Sequence, residues 1–260
     1  SKIKMTGTGT SINFTSDEHI YDLEITGTTS LNQIEGLAKE LRLEGQVFTV
    51  GSGATLSSTN ISELTFRPGF DGGTISLADP ATNIENVYKI WCNGSGALSL
   101  PALKTKFIGM DRSGTVTATG DITITEELEI NSGNTFNANG NTITCAFLDV
   151  DNGATVDLRN STYLGSKSGT YNRFDFFHCG SSVSLLTGNT TITGTTSPHT
   201  LGYFPPAANL EIVGNVSNIE VKDDGDLTVI GSVTNCTYDA DGTANIRQWH
   251  HTLDTQQLLD

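Results

Sequence analysis

Two consecutive stretches of the chain carry the same order of apolar and polar positions. Residues 120–139 read GDITITEELEINSGNTFNAN and residues 140–159 read GNTITCAFLDVDNGATVDLR. At a shift of 20, Gly120 meets Gly140, Gly133 meets Gly153, and Leu128 meets Leu148. Ile130 meets Val150, Thr135 meets Thr155, and Phe136 meets Val156, while Asp121, Glu129, Asn131 and Asn137 meet Asn141, Asp149, Asp151 and Asp157. Within LEINSG and LDVDNG the residues alternate, so Leu128/Ile130 and Leu148/Val150 point to one side and Glu129/Asn131 and Asp149/Asp151 to the other.

Units of strand, small turn and strand recur along the chain: 41–50, 64–77, 88–100, 107–119, 174–186, 210–221 and 227–238. Short strands with Gly/Asn turns at a period near 20 predict an all-β parallel β-helix, a β-solenoid with one coil per repeat. Rungs spaced ~4.8 Å apart would give nine or ten coils in a rod about 45 Å long. A β-sandwich of the jelly-roll type is the competing fold, because it also has turns every 8–12 residues or so. Two long gaps in the repeat hold SKSGTYNR and SPHTLGYFPPAAN, which predict loops protruding near 164–174 and 195–209.

One segment has helical rather than strand periodicity. In SLNQIEGLAKEL, Ser30 is a good N-cap and Gln33 completes a capping box. Leu31, Ile34, Leu37, Ala38 and Leu41 fall on one face, with Gly36 a weak point. The expectation is a short helix within 29–41 that covers the first rung of a solenoid running over 41–240. Residues 1–28 then form a β arm or attachment segment, and residues 241–260 a tail outside the repeat. The start SKIKMTGTGT has no apolar signal region, and Ser1 is consistent with removal of an initiator Met.

Composition agrees with this pattern and removes several alternatives. The 260 residues include 38 Thr, 28 Gly, 22 Ser and 20 Asn, roughly two fifths of the total. Helical bundles and coiled coils are rich in other residues. No stretch approaches the ~18 apolar residues of a membrane span. With 14 Lys+Arg against 29 Asp+Glu, a net charge of −15, the chain lacks the basic clusters that phosphate binding requires. An apolar content of 36% spread along the chain supports a core and argues against disorder. The expected molecule is soluble, with no nucleic-acid or membrane partner. Cys92, Cys145, Cys179 and Cys236 show no CxxC spacing and read as reduced, mostly buried thiols. No Cys/His cluster suits zinc.

Candidate chemistry is sparse. Glu129 and Asp149 lie one period apart and face outward, near the ~5 Å separation of a retaining glycosidase pair. The plain alternative is a solvated polar ladder. Asp149, Asp151, Asn152 and Asp157 have the oxygen-rich look of calcium loops, as do Asp223, Asp224 and Asp226, and Asp239, Asp241 and Asn245. None fits the full twelve-residue pattern, and Asp-Gly is also a turn former. No metal ligand or cofactor is therefore assigned. His178 and Cys179 are strand neighbours that point to opposite faces, which excludes a nucleophile pair. His250 and His251 diverge in the same way. The patterns GxSxG and GxxxxGK[ST] are absent. The expectation is a protein without catalytic residues. Tyr171, Phe174, Phe176 and Phe177, with Tyr203 and Phe204, gather on the two insertions. Together with Trp249 in the tail, they are the candidates for contact with a partner chain or a sugar.

A Thr/Gly/Asn-rich β-helical rod with a short N-terminal arm, no visible export signal and unpaired cysteines resembles the virion structural proteins of tailed bacteriophages, among them capsid-decoration, tail-fibre and tail-spike proteins. The resemblance spans about residues 40–240 and rests on style rather than a motif, so it assigns no functional residue. It implies a non-enzymatic virion protein made in the host cytoplasm. Its implied assembly is a homotrimer attached to a major capsid or tail protein, with host-surface polysaccharide as a further possible partner. Secreted pectate-lyase-like enzymes share the β-helix and supply the alternative, a polysaccharide-binding or polysaccharide-cleaving protein. An exported adhesin rod is a third class.

Overall fold

A computed structural model describes residues 2–14, 18–20, 22–26, 28–33, 40–43, 47–51, 55–57, 63–66, 73–77, 89–93, 95–166, 177–179, 183–194, 199–201, 209–221, 226–238 and 247–249. Every strand pair among them is parallel, which establishes a β-solenoid and removes the jelly roll, whose sheets are antiparallel. The strands fall on three faces. Face one begins with a nine-stranded sheet: Lys2–Met5, Asp22–Ile25, Val47–Val50, Gly73–Leu77, Ala97–Leu100, Thr115–Ala118, Thr135–Asn137, Thr155–Asp157 and Ser184–Leu186. It continues through the first half of Asn209–Ser217, then Asp226–Ile230 and Arg247–Trp249. That is twelve successive levels, on the order of 55 Å at the usual strand spacing. The seam between Leu186 and residue 209 is bridged by Thr187, whose hydroxyl donates to the Glu211 carbonyl (3.0 Å) and accepts from the Val213 amide (2.9 Å).

In three central coils, one long strand makes both other faces by bending midway: Leu103–Asp111, Ile122–Ile130 and Thr142–Val150. On face two, Leu103, Ile122, Ile143, Tyr163, Ile192, Val216 and Val233 stack in register. On face three, Ile90, Ile108, Leu128 and Leu148 form a second column, and Cys92, Met110, Ile130 and Val150 a third. Face one contributes Leu98, Val116, Phe136 and Val156. Nearly all of these residues are buried, and Tyr163, Phe136 and Ile130 are fully so. Burying each such side chain contributes about 1.5–3 kcal/mol.

The repeat is exact only in part. From residue 127 onward the step is 20, since Glu127 pairs with Phe147 and Glu129 with Asp149. Upstream, Ile122 pairs with Ile143, a step of 21. Ile122–Ile130 carries one extra residue at Thr125–Glu126 relative to both neighbours, and this bulge at the bend absorbs the difference. Asp121 therefore meets Thr142 rather than Asn141, its carboxylate accepting from the Thr142 amide at 2.8 Å.

The expected N-terminal capping helix is not present. Thr28–Gln33 is a strand, in register with Thr10–Phe14 on one side and Thr55–Ser57 on the other, and Glu40–Leu43 is another. Ser30, read as an N-cap, pairs with Ser11. Residues 34–39 lie outside the described residues. A helix this short with an internal Gly is marginal by itself. The strand takes lateral hydrogen bonds from two neighbours and begins with two β-branched threonines. The expected loops near 164–174 and 195–209 lie largely outside the described residues.

Turns are stitched by polar side chains. Asn134 is 1% exposed. Its Oδ1 accepts from the Gly114 amide (2.9 Å), and its Nδ2 donates to the carbonyls of Asn131 (2.8 Å) and Met110 (3.4 Å). One amide thus satisfies backbone groups of its own coil and of the one before. Asn141 repeats the device, with Nδ2 donating to Ala118 (3.0 Å) and Ala138 (2.9 Å). Left-handed backbone at Asn139, Asn160 and Asn189 uses the residue type that tolerates it best after Gly. On the last coils the corner between faces one and two is made by Gly214 and Gly231, both at φ 153°. A Cβ on Gly231 would sit 1.7 Å from the Gly214 carbonyl oxygen, so the coils close only over a bare Cα.

Removing the Asn134 amide should leave a buried amide and two carbonyls without that partner. Asn134→Ala is expected to destabilise the fold by about 2–3 kcal/mol, read as a lower urea midpoint at unchanged slope. A ΔΔG within a few tenths of zero would show that the stitch carries no stability.

Candidate functional site

The outward positions of face three hold the richest side-chain chemistry in the described part of the chain. Alternation fixes them: Ile108/Met110, Leu128/Ile130 and Leu148/Val150 face in, so residues 107/109, 127/129 and 147/149 occupy the other register. One outward column reads Trp91, Gly109, Glu129, Asp149, with His178 next in backbone register. The column beside it reads Phe107, Glu127, Phe147, all buried.

Trp91 shapes the aromatic end. Its indole lies across Gly109, where a Cβ would come within 1.8 Å of the ring. It stacks on Phe107 with centroids 6.3 Å apart and planes inclined by 26°. Only glycine at 109 lets the ring lie there. At the other end, Glu129 and Asp149 occupy adjacent rungs in direct register. With its amide oriented so that nitrogen donates, Asn131 bridges Glu129 Oε1 (3.0 Å) and Asp151 Oδ2 (3.2 Å). Glu129 and Asp151 are thus tied together across adjacent rungs. Such an array can accept hydrogen bonds from a polyhydroxylated or amide-bearing partner, and the indole can stack on an apolar ring face.

The other acids read as possible ion ligands have separate roles or fall elsewhere. Asp157 is buried and chelated by Arg159, with Nε–Oδ1 2.9 Å and Nη2–Oδ2 2.5 Å. The Arg159 guanidinium holds the Asp157 carboxyl below the usual carboxylate range. Asp157 Oδ1 also accepts from the Arg159 amide, as Asn137 Oδ1 accepts from the Asn139 amide one coil earlier, so both act as turn caps. Asp226 begins a strand. Asp223, Asp224, Asp239, Asp241 and Asn245 lie outside the described residues. Among the described residues, no group of three or more His, Cys, Asp or Glu converges as a metal site would require.

Of the aromatic candidates, Tyr171, Phe174, Phe176, Tyr203 and Phe204 lie outside the described residues. Trp249 lies in Arg247–Trp249, in backbone register with Ile230. Among the described residues, Trp91, Phe107 and Gly109 come together, outside every motif of the sequence. The signal was present: Lys89–Asn93 and Phe107–Asp111 align as consecutive repeats, with a Trp in an outward position and a Gly one repeat later.

Cys92, Cys145 and Cys236 carry thiols rather than disulfides, Cys92 and Cys145 buried and Cys236 half-buried. Burial pushes the Cys92 and Cys145 thiols up to about 12. Cys145 Sγ also lies 3.0 Å from the Phe147 carbonyl and bonds to Tyr163, so the core satisfies it as a small polar filler.

No protein-family model matches the chain, and no match was found among curated proteins or solved structures. The class established is therefore that of the fold alone, an all-β parallel solenoid scaffold.

Two outcomes follow from this geometry. Gly109→Ala should drive the indole off the face. In a Trp249→Phe background, a shift in Trp emission and near-UV dichroism with an unchanged far-UV β spectrum is expected, and unchanged emission would contradict the placement of Trp91. In a Cys179→Ser background at pH 8, only Cys236 should react rapidly with a thiol reagent, Cys92 and Cys145 reacting on unfolding. Rapid labelling of three thiols in the native state would contradict the burial.

Proposed function

We propose that this chain is a non-enzymatic structural rod of a tailed-bacteriophage virion, a capsid-decoration or tail-associated protein that acts as a homo-oligomer. The observation that carries the reading is the uninterrupted parallel stack. Apolar columns run inside it and Thr/Asn/Asp columns outside it over level after level. Described polar side chains at the turns hold coil on coil, as Asn134, Asn141 and Thr187 show. A stack of this kind builds a stiff spacer whose length is set by coil number. The Thr/Gly/Asn-rich composition and the resemblance to virion proteins support the particular setting. The acidic exterior keeps many copies apart in the host cytoplasm until they meet a capsid or tail protein.

A second reading has its own observation. The column Trp91, Gly109, Glu129 and Asp149 combines a flat aromatic with paired carboxylates, the chemistry of a polysaccharide-binding or polysaccharide-cleaving surface.

An antibody raised against the purified chain is expected to label phage particles from the source culture at one fixed place, shell or tail, in electron micrographs. Label confined to cell envelopes would overturn the virion assignment. Cleavage of a capsular polysaccharide that Glu129→Gln or Asp149→Asn lowers at least 100-fold would replace it with the second reading.

A further inference from the structure

The coil of residues 184–201 is laddered unevenly to its neighbours. On face two the parallel ladder runs straight through it, from Thr162–Gly165 to Thr190–Gly194 and on to residues 214–217. Tyr163, Ile192 and Val216 stay buried along that column. Side chains reinforce it: Ser217 Oγ donates to Thr193 Oγ1 (2.7 Å) and Asn218 Nδ2 to the Gly194 carbonyl (3.4 Å). On face one, Ser184–Leu186 pairs backward with Thr155–Asp157, and the next described ladder starts at Asn209. On face three the division falls one coil earlier. Phe177–Cys179 pairs backward with Leu148–Val150, and His199–Leu201 pairs forward with Ile219–Val221. Among the described residues, no ladder joins the two sides on either of these faces.

The core loosens at the same place. The inward column of face one is closed over Leu98, Val116, Phe136 and Val156, but Leu185, next in register, is only half-buried. Its outward neighbour Leu186 is 37% exposed, and beyond the gap Ile212 is buried again. Thr187 spans this gap. Its hydroxyl reaches forward to the Glu211 carbonyl and the Val213 amide, so one side chain stands in for a strand pairing. Thr190 ties the same coil backward: it is fully buried, and its hydroxyl donates to the Leu158 carbonyl at 2.7 Å.

We propose that residues 184–201 form a joint in the rod. The stack before it and the stack that starts at Asn209 are hinged on face two and latched on face one by Thr187. The latch is polar and lies near the surface, so opening it uncovers little apolar area. Parting face two would instead uncover Ile192 and Val216 and break a backbone ladder. Opening therefore swings the C-terminal coils away on the face-one side and bends the rod in one plane. The C-terminal stack yields as a unit, more readily than the coils of residues 115–157, in which Thr115–Ala118, Ile122–Ile130, Thr135–Asn137 and Thr142–Val150 each pair with a strand on either side. The joint is a property of the rod itself and goes beyond the functional reading.

Hydrogen exchange of the full chain, read peptide by peptide in a mass spectrometer, tests the joint. Amides of 209–217 and 226–230 should exchange together, about tenfold faster than those of 122–130 and 142–150, with a step between 186 and 209. Thr187→Val keeps the shape and removes both bonds. It should raise exchange in the C-terminal stack about fivefold more and leave 122–157 unchanged. Thr187→Ser keeps the hydroxyl and should exchange as the parent chain does. A profile with no step at the seam, whether uniform or falling smoothly towards the C-terminus, would overturn the joint. Exchange that Thr187→Val leaves unchanged, or raises equally on both sides of the seam, would overturn the latch.

Discussion

The structure depends on one constraint, the lateral backbone hydrogen bonding of each strand to the same strand one coil earlier. That bonding fixes the vertical spacing, and it forces residues at equivalent positions of successive coils into direct contact. An inward column must therefore be apolar along its whole height. Leu103, Ile122, Ile143, Tyr163, Ile192, Val216 and Val233 satisfy this on face two, and the one aromatic among them, Tyr163, has its polar end hydrogen-bonded to Cys145. A charged residue in such a column would lie against two others of the stack, so a single error costs more here than in a core that can repack.

The same constraint explains why the polar residues are as ordered as the apolar ones. Corners interrupt the ladder and leave amides and carbonyls that no strand partner reaches. Asn134 and Asn141 reach them from inside the turn, while Asn137 and Asp157 cap from outside. The abundance of Asn is thus a consequence of coil number, because each coil has corners to satisfy. Small differences in coil length are tolerated where the chain already bends, as at Thr125–Glu126, since a bulge there leaves both flanking ladders in register.

Most of the architecture is legible in the sequence because the constraint writes itself as a period. Leu128, Glu129 and Ile130 against Leu148, Asp149 and Val150 predict both the fold and the inward and outward faces, and the structure pairs them in that way. The segment after Ser30 is misread because a capping box and an i, i+3, i+4 pattern are local signals. The strand that forms instead is stabilised by neighbours 19 and 27 residues away. The aromatic surface is missed for a related reason. Aromatic residues close in sequence stand out in a linear reading, whereas Trp91 and Gly109 become neighbours only once two repeats are aligned. Function is less legible than fold, since a solenoid's outer residues are nearly independent of the pattern that builds it.

The direction of the ladder hydrogen bonds has a mechanical consequence. In a stack of parallel coils they run along the rod rather than across it. Tension applied at the two ends would load one inter-coil layer in series with the next, so the rod should peel coil by coil, each giving way at a modest force while its neighbours hold. Compression presses every layer together and loads no bond in extension. The molecule is thus built as a strut rather than a tether. Wherever it is mounted, it is suited to standing off from a surface and bearing push, and poorly suited to transmitting pull.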